Sequence, residues 1–405
     1  MDWAISYYYQ RTLLHRLNPY LLDLQVFIML ILYSPSLYIL SFLYLALPCT
    51  HAAAFDPLKY VDPLIGSNNG GNVFSGASLP YGLAKAVADV DGQNTGGFAT
   101  DGSNVTGFSS VHDSGTGGNP SLGNFPLFPQ LCPDDDLNNC AFRIGDRKVP
   151  YVEESVVAEP GYFSLQLQNG IKAEMTTAHK TALYKFTFSG NDTSGGGKCK
   201  RNGTSSAQHP LIMLDLTDLW QSRQNASISV DAETARMKGS GTFLPSFGAG
   251  YYQLHFCVDF FGVEVYDTGV WVNNRAGTDP KELFVTRGFN LFYLEAGGFA
   301  RFQPASDDSV TARMGMSFIS ADQACNNAET EIPDPLADFD SLVTNTQDAW
   351  REKLSPVSIV PGGVSDELLV TLFSGLYRAH MSPQNYTGEN PHWDSGIPYF
   401  DSFYW

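Results

Sequence analysis

Residues 162–175 read Tyr162-Phe163-Ser164-Leu165-Gln166-Leu167-Gln168-Asn169-Gly170-Ile171-Lys172-Ala173-Glu174-Met175. Phe163, Leu165 and Leu167 alternate with polar residues, and Ile171, Ala173 and Met175 resume the alternation after Asn169-Gly170. Successive side chains of a strand point to opposite faces, so a period of two marks strands buried on one face. Asn-Gly between two such runs is the strongest short hairpin signal. The period recurs at Tyr184, Phe186 and Phe188, at Tyr252, Leu254, Phe256 and Val258, and at Met314, Met316 and Phe318. The β pattern runs from Phe55 to about Ala321. That is long for one immunoglobulin-type sandwich. It predicts a mainly β fold built as a large two-sheet β-sandwich.

Beyond Pro333 the period lengthens. Phe339, Leu342, Val343, Thr346, Trp350 and Leu354 share one face of a helix that Pro356 ends. After Pro361-Gly362-Gly363, Ser365 is a good N-cap, with Asp366 and Glu367 in the first turn. Leu368, Leu369, Leu372, Phe373, Leu376 and Tyr377 form the apolar face of this second helix, and Pro383 follows it. The chain closes on Tyr399-Phe400-Asp401-Ser402-Phe403-Tyr404-Trp405, an apolar run with no polar tail. The chain is therefore expected to be a fragment of a larger protein.

The 405 residues carry 24 Lys+Arg against 42 Asp+Glu, a formal net charge of −18. There is no basic cluster of the kind phosphate contacts require, so no nucleic-acid partner is expected. With 43% hydrophobic residues and only 16% charged, the composition is that of a secreted β-rich protein, not of a disordered one. Leu24 to Thr50 holds no charged residue, follows Arg11 and Arg16, and precedes the small residues Ala52-Ala53-Ala54. Residues 1–54 are read as a cleaved signal peptide or a signal anchor, the latter being the one route to a membrane. A wrongly assigned start is the third reading. Both targeting readings place the remainder in the secretory pathway. Five Asn-x-Ser/Thr sequons agree, at Asn104, Asn191, Asn202, Asn225 and Asn385. Past Cys49 there are five cysteines. A local disulfide is expected between Cys132 and Cys140, and the odd number leaves one thiol free or paired elsewhere. No cysteine or histidine spacing suggests zinc.

The stretch Tyr60 to Asn124 is the richest in glycine and small polar residues. It includes Gly66-Ser67-Asn68-Asn69-Gly70-Gly71-Asn72 and His112-Asp113-Ser114-Gly115-Thr116-Gly117. Glycine lets backbone approach a ligand closely. Asn, Ser and His supply donors and acceptors suited to sugar hydroxyls, and Phe74, Tyr81, Phe98 and Phe108 offer rings for stacking. Tight turns of a β protein would leave the same composition. His112, Asp113 and Ser114 are adjacent in sequence, whereas hydrolase triads assemble from distant residues. Asp134-Asp135-Asp136 lacks the spacing of a calcium loop and reads as a solvated acidic turn.

Val61-Asp62-Pro63-Leu64-Ile65-Gly66, Ser78-Leu79-Pro80-Tyr81-Gly82, Gly107-Phe108-Ser109 and Ser114-Gly115-Thr116-Gly117, in this order, resemble family 92 of the glycoside hydrolases. Ser75 and Asp113 depart from the family pattern, where Pro and Leu are common. The likeness runs from about Tyr60 to the last residue, and the fungal secreted members look closest. It implies a calcium-dependent exo-α-mannosidase, chiefly α-1,2-acting and inverting. The substrates would be mannose-containing N-glycans, glycoproteins or mannans. It also implies a mutarotase-like sandwich at 55–322, a linker with an amphipathic helix at 323–364, and the start of an (α/α)6 barrel at 365–405. An inverting site needs two carboxylates about 6.5–9.5 Å apart. By the resemblance these, and most calcium ligands, belong beyond Trp405, so the chain alone is expected to be inactive. The sandwich's share of the sugar site is expected from Asn69, Gly70, Gly71, His112, Ser114, Gly115 and Thr116. Two other readings stay open: a glycan-binding sandwich without turnover, and an N-glycan amidase.

Overall fold

The computed structural model describes residues 55–402 except 94, 113–121, 189–207, 290–291, 305–308, 361 and 395. Residues 1–54, read above as a signal peptide or anchor, and Ser114, Gly115, Thr116, the sequons Asn191 and Asn202, and Cys199 lie outside the described residues.

The chain builds two antiparallel sheets by crossing between them. β1 (Ala77–Ser78), β2 (Lys85–Val90), β3 (Asn104–Ser109), β4 (Leu127–Leu131) and β5 (Val149–Pro150) open the first. β6 (Val157–Glu159), β7 (Tyr162–Gln166), β8 (Ile171–Thr177) and β9 (Thr181–Phe188) open the second. β10 (Pro210–Asp215) returns to the first, and β11 (Asn225–Val230), β12 (Met237–Phe243) and β13 (Tyr252–Phe261) to the second. β14 (Val265–Val272), β15 (Arg275–Gly277) and β17 (Ala296–Phe302) complete the first, β16 (Glu282–Thr286) and β18 (Ser309–Ser317) the second. The first sheet runs β1-β2-β3-β4-β10-β17-β14-β15 with β5 on β3, and the second β16-β11-β12-β13-β18-β9-β8-β7-β6.

The opening hairpin is β7–β8, with Phe163 opposite Met175 and Leu165 opposite Ala173. Its turn closes by Gly170 N donating to Leu167 O (2.9 Å), with Gly170 at φ +93°. Leu167 N also donates to Ile171 O (2.8 Å), so residues 168–170 form a three-residue hairpin loop ending on a left-handed glycine. Leu165, Phe186, Leu254, Phe256 and Met314 of the second sheet meet Val87, Phe108, Ile212 and Leu214 of the first in one core. Several strands of the first sheet are buried on both faces. In β10, Ile212 and Leu214 face this core, while Leu211 and Met213 join Phe128, Phe142, Trp271 and Phe299 in a second cluster. The Cys132–Cys140 loop covers that outer face, so β10 reads as an unbroken apolar run.

Three helices follow. α1 (Ala321–Glu331) lies against β18 and β13. Ser320 caps it by accepting from Gln323 N (3.0 Å), and Cys325 is bonded to Cys257 of β13. The sequence reading left this stretch at the end of the sandwich and in the linker. It buries only small side chains, Ala324, Cys325 and Ala328, and so shows no stripe of large apolar residues. α2 (Phe339–Leu354) falls where the apolar spacing put it. Its Trp350 Nε1 donates to Ser78 O (2.7 Å), and the ring lies 4.3 Å from that of Tyr377. α3 (Asp366–Ala379) starts after Ser365, whose hydroxyl makes no capping bond to the backbone. It buries Leu369, Phe373 and Tyr377 and leaves Leu368 (64%) and Leu372 (41%) exposed. Among the described residues no helix is long and apolar enough to cross a membrane.

Candidate active-site loops

The glycine-rich loop is held by its own backbone and by the turn at 93–101. Val73 N donates to Gly66 O (3.4 Å) and Gly71 N to Asn68 O (3.2 Å). Asn69, Gly70 and Asn72 have φ of +54°, +78° and +53°. A Cβ on Gly71 would sit 2.2 Å from Gly66 O, so only glycine fits there. Asn68 Nδ2 donates to Thr100 O (2.9 Å), and Gly70 N donates to Gln93 Oε1 (2.6 Å). Asp101 supports that turn by accepting from Gln93 N and Ser103 N. Partial burial works against its charge, yet the bonds from Ser103 and Gln93 win and hold its carboxyl below the ordinary value. Asn69, Gly70 and Gly71 are exposed on this frame.

Sequence reasoning missed Arg378. It projects from α3 onto this loop, donating from Nη2 to Pro63 O (3.2 Å), with Nη1 3.7 Å from where a Cβ on Gly66 would be. Its Nε is buried without a partner, and no carboxylate pairs with it among the described residues. Burial pulls the guanidinium below its ordinary pKa. The arginine stands 312 residues from Gly66 in sequence (378 − 66), so no local pattern pairs them.

His112 is corrected. Its imidazole is fully buried in the sandwich rather than facing a sugar. Nδ1 donates to Lys85 O (2.9 Å), while Nε2 meets Asp89 Oδ1 (2.7 Å) and Ser109 Oγ (3.0 Å). Both nitrogens are spent on joining β2 to the end of β3. Ser114, Gly115 and Thr116, which follow it, lie outside the described residues.

Cys132 and Cys140 are joined, and Cys257–Cys325 is a second disulfide that the sequence reading did not name. Asn104 and Asn225 are half-buried at the first position of β3 and β11, not on loop tips. Asn385 is also half-buried, and its Oδ1 accepts from Thr387 N (3.0 Å). The acidic turn is structural: Asp135 Oδ2 meets His209 Nδ1 (2.7 Å), and Asp136 accepts from Asn138 N (2.9 Å). Among the described residues no group of three or more His, Cys, Asp or Glu side chains is placed to hold a metal ion.

The buried carboxyls are engaged as well. Asp215 pairs with Arg147 (2.7 Å), and Asp218 accepts from Ser222 N (2.6 Å) and Oγ (2.7 Å). Glu389 accepts from Ser317 Oγ (2.6 Å), Phe318 N (2.9 Å), Asn327 Nδ2 (2.9 Å) and Lys180 Nζ (3.0 Å). Burial raises Asp218 to about 7 against the ordinary carboxylate value, the Ser222 bonds notwithstanding. These groups hold strands and turns in place.

The model of the glycosyl hydrolase family 92 N-terminal domain matches residues 60–317. That of the family's catalytic domain matches residues 323–404, a stretch that includes what the sequence reading assigned to a linker. An uncharacterized secreted glycosidase of Arthroderma benhamiae is 56% identical over 352 residues, covering 86% of this chain and 44% of that protein. A family 92 α-mannosidase of Bacteroides thetaiotaomicron has the same fold, with TM-score 0.68 and 20% identity over 86% of this chain and 45% of that one. Its complex with mannoimidazole matches with TM-score 0.68 and 20% identity over 85% of this chain and 44% of that one. The chain thus spans a little under half the length of these relatives. With its sandwich and its helices both matched, the chain belongs to glycosyl hydrolase family 92.

Proposed function

We propose that this chain is the sandwich and leading helices of a secreted exo-α-mannosidase that removes terminal mannose, chiefly α-1,2-linked, from N-glycans or mannans with inversion. The observation that carries the reading is the match to both family domains in one chain. The exposed loop Asn69-Gly70-Gly71 would position the terminal sugar, with Arg378 behind it as a donor. His112 would act indirectly, by fixing the backbone that leads into Ser114, Gly115 and Thr116. The two disulfides suit the oxidising route that a secreted protein follows.

Inversion requires one carboxylic acid to protonate the leaving oxygen and one carboxylate to activate water. The buried carboxyls Asp89, Asp215, Asp218 and Glu389 all serve structural partners, so neither role is assigned among them. Calcium belongs to the proposal by family, and no described residue is assigned as its ligand. The amidase reading is not retained, because the family is one of glycosyl hydrolases.

The test assays this chain and the Arthroderma benhamiae relative side by side on α-1,2-mannobiose, reading the released anomer by proton NMR. The relative is expected to release β-mannose and to stop when calcium is chelated. This chain is expected to release none. Absence of mannose release by the relative would sink the mannosidase reading, and turnover by this chain would show that its acid and base were overlooked.

A further inference from the structure

His112 and Asp89 meet inside the sandwich, with side chains 0% and 2% exposed. The acceptors around the imidazole fix how many protons it carries. Lys85 O is a carbonyl oxygen and can only accept, so Nδ1, 2.9 Å away, bears a hydrogen. Asp89 Oδ1 lies 2.7 Å from Nε2. A neutral imidazole has one N–H and one lone pair. With its hydrogen on Nδ1, it would aim the Nε2 lone pair at a carboxylate oxygen. Ser109 Oγ, 3.0 Å from the same nitrogen, can donate or accept and does not relieve that repulsion.

The surroundings offer the carboxylate no other compensation. Asp89 Oδ2 is buried with no hydrogen-bond partner among the described residues, and a buried charge without a partner is costly. A Cβ on Gly97 would sit 2.9 Å from Nε2, so backbone closes that side of the ring, and the Phe74 ring lies 5.5 Å away. The other ionisable groups beside the pair are engaged. Lys85 Nζ donates to Gln384 Oε1. Tyr184, close enough to feel the charge of Asp89, bonds Ser110 Oγ. The 2.7 Å separation of Nε2 and Oδ1 is that of a charge-assisted bond between N⁺–H and O⁻. Of the two groups the imidazole is the stronger base, so it takes the proton.

We infer that His112 is an imidazolium in the folded protein at neutral pH, paired with the Asp89 carboxylate, and that the sandwich takes up this proton as it folds. Protonated, the ring donates twice and ties Lys85 O and Asp89 of β2 to the segment after β3. Deprotonated, it keeps the Nδ1 bond and turns a lone pair on Asp89. His112 is thus a positioning residue whose hold depends on a buried proton. Its bearing on sugar binding rests on the mannosidase reading above, whereas the proton itself does not.

The test is nitrogen NMR of this 405-residue chain, labelled at histidine, at about pH 7.5, where an ordinary histidine is mostly neutral. His112, identified by the signals that His112→Gln removes, should carry a hydrogen on both ring nitrogens. Asp89→Asn keeps the shape and puts an amide donor opposite Nε2, so its His112 should carry one. Between about pH 7 and 8 the folding equilibrium constant of the wild type should fall about tenfold per pH unit relative to that of Asp89→Asn, the slope of one bound proton. A single ring hydrogen in the wild type, or two in both proteins, would overturn the inference. If either variant fails to fold, through-bond connection to the His112 backbone assigns the ring, and the wild-type spectrum decides alone. None of these readouts involves mannose release by the relative, so the proton and the mannosidase reading fail separately.

Discussion

Gly71 and Gly70 sit side by side but do different jobs. Gly70 needs a left-handed backbone in open space, whereas Gly71 is packed against the carbonyl of Gly66. Gly70→Ala should cost about 1 kcal/mol, the penalty of positive φ alone. Gly71→Ala should cost about 2–3 kcal/mol, since backbone has to move. Urea denaturation of both variants measures the difference, and equal costs would mean that the loop is not braced as described. His112 carries the opposite lesson. A histidine beside small polar residues suggests a ligand contact, yet here the ring is consumed by Lys85 O, Asp89 and Ser109.

The elements join through a few long-range ties. α1 can lie flat on β18 because Gly315 has no side chain: a Cβ there would be 2.1 Å from Ala324 O. The Cys257–Cys325 bond then locks the helix to β13 across 68 residues, while Cys132–Cys140 spans only 8. Chain entropy makes the longer loop worth more, about 4 kcal/mol against about 2.5 kcal/mol. The double variant Cys257→Ala/Cys325→Ala should therefore lose more stability than Cys132→Ala/Cys140→Ala in urea titrations. A larger loss from the short loop would show that the outer cluster around Phe142 and Trp271 depends on its bridge. α2 is tied in by Trp350, which reaches Ser78 O and Tyr377 together.

Charge acts on the molecule as a whole. Burial raises Asp218 to about 7 and also raises Glu331. Such groups bind protons more readily folded than unfolded, so their contribution is fully present at low pH and is lost as pH rises through the folded value. Desolvation works against the charge of Asp91, Asp101 and Glu174, yet all three are shifted down, by their hydrogen bonds and, for Asp91 and Glu174, by nearby lysines. Their contribution is present above the unfolded value and is lost as pH falls through the lower folded one. Stability should rise by the order of a few kcal/mol as pH falls from about 7.5 to 5, then decline below about 4. A melting series across pH 3–8 checks this, and Asp218→Asn should flatten the upper limb. Melting temperatures that fall steadily from pH 7.5 to 5 would contradict it.

The sandwich was legible in the sequence, because a period of two is imposed by strand geometry and is visible wherever one face is wet. Tyr162 to Met175 shows it, and α2 showed through its Phe339-to-Leu354 stripe for the same reason at a period near 3.6. The ordered blocks from Val61 to Thr116 were enough to point to the family. Where neither face is wet, as in β10, or where a helix buries only alanines and a cysteine, as in α1, the pattern has nothing to alternate with. That His112 turns inward and that Arg378 reaches the loop at Gly66 emerges only once the sheets and helices are packed. Each depends on residues far apart in the chain meeting across packed sheets. Local spacing carries no record of such meetings.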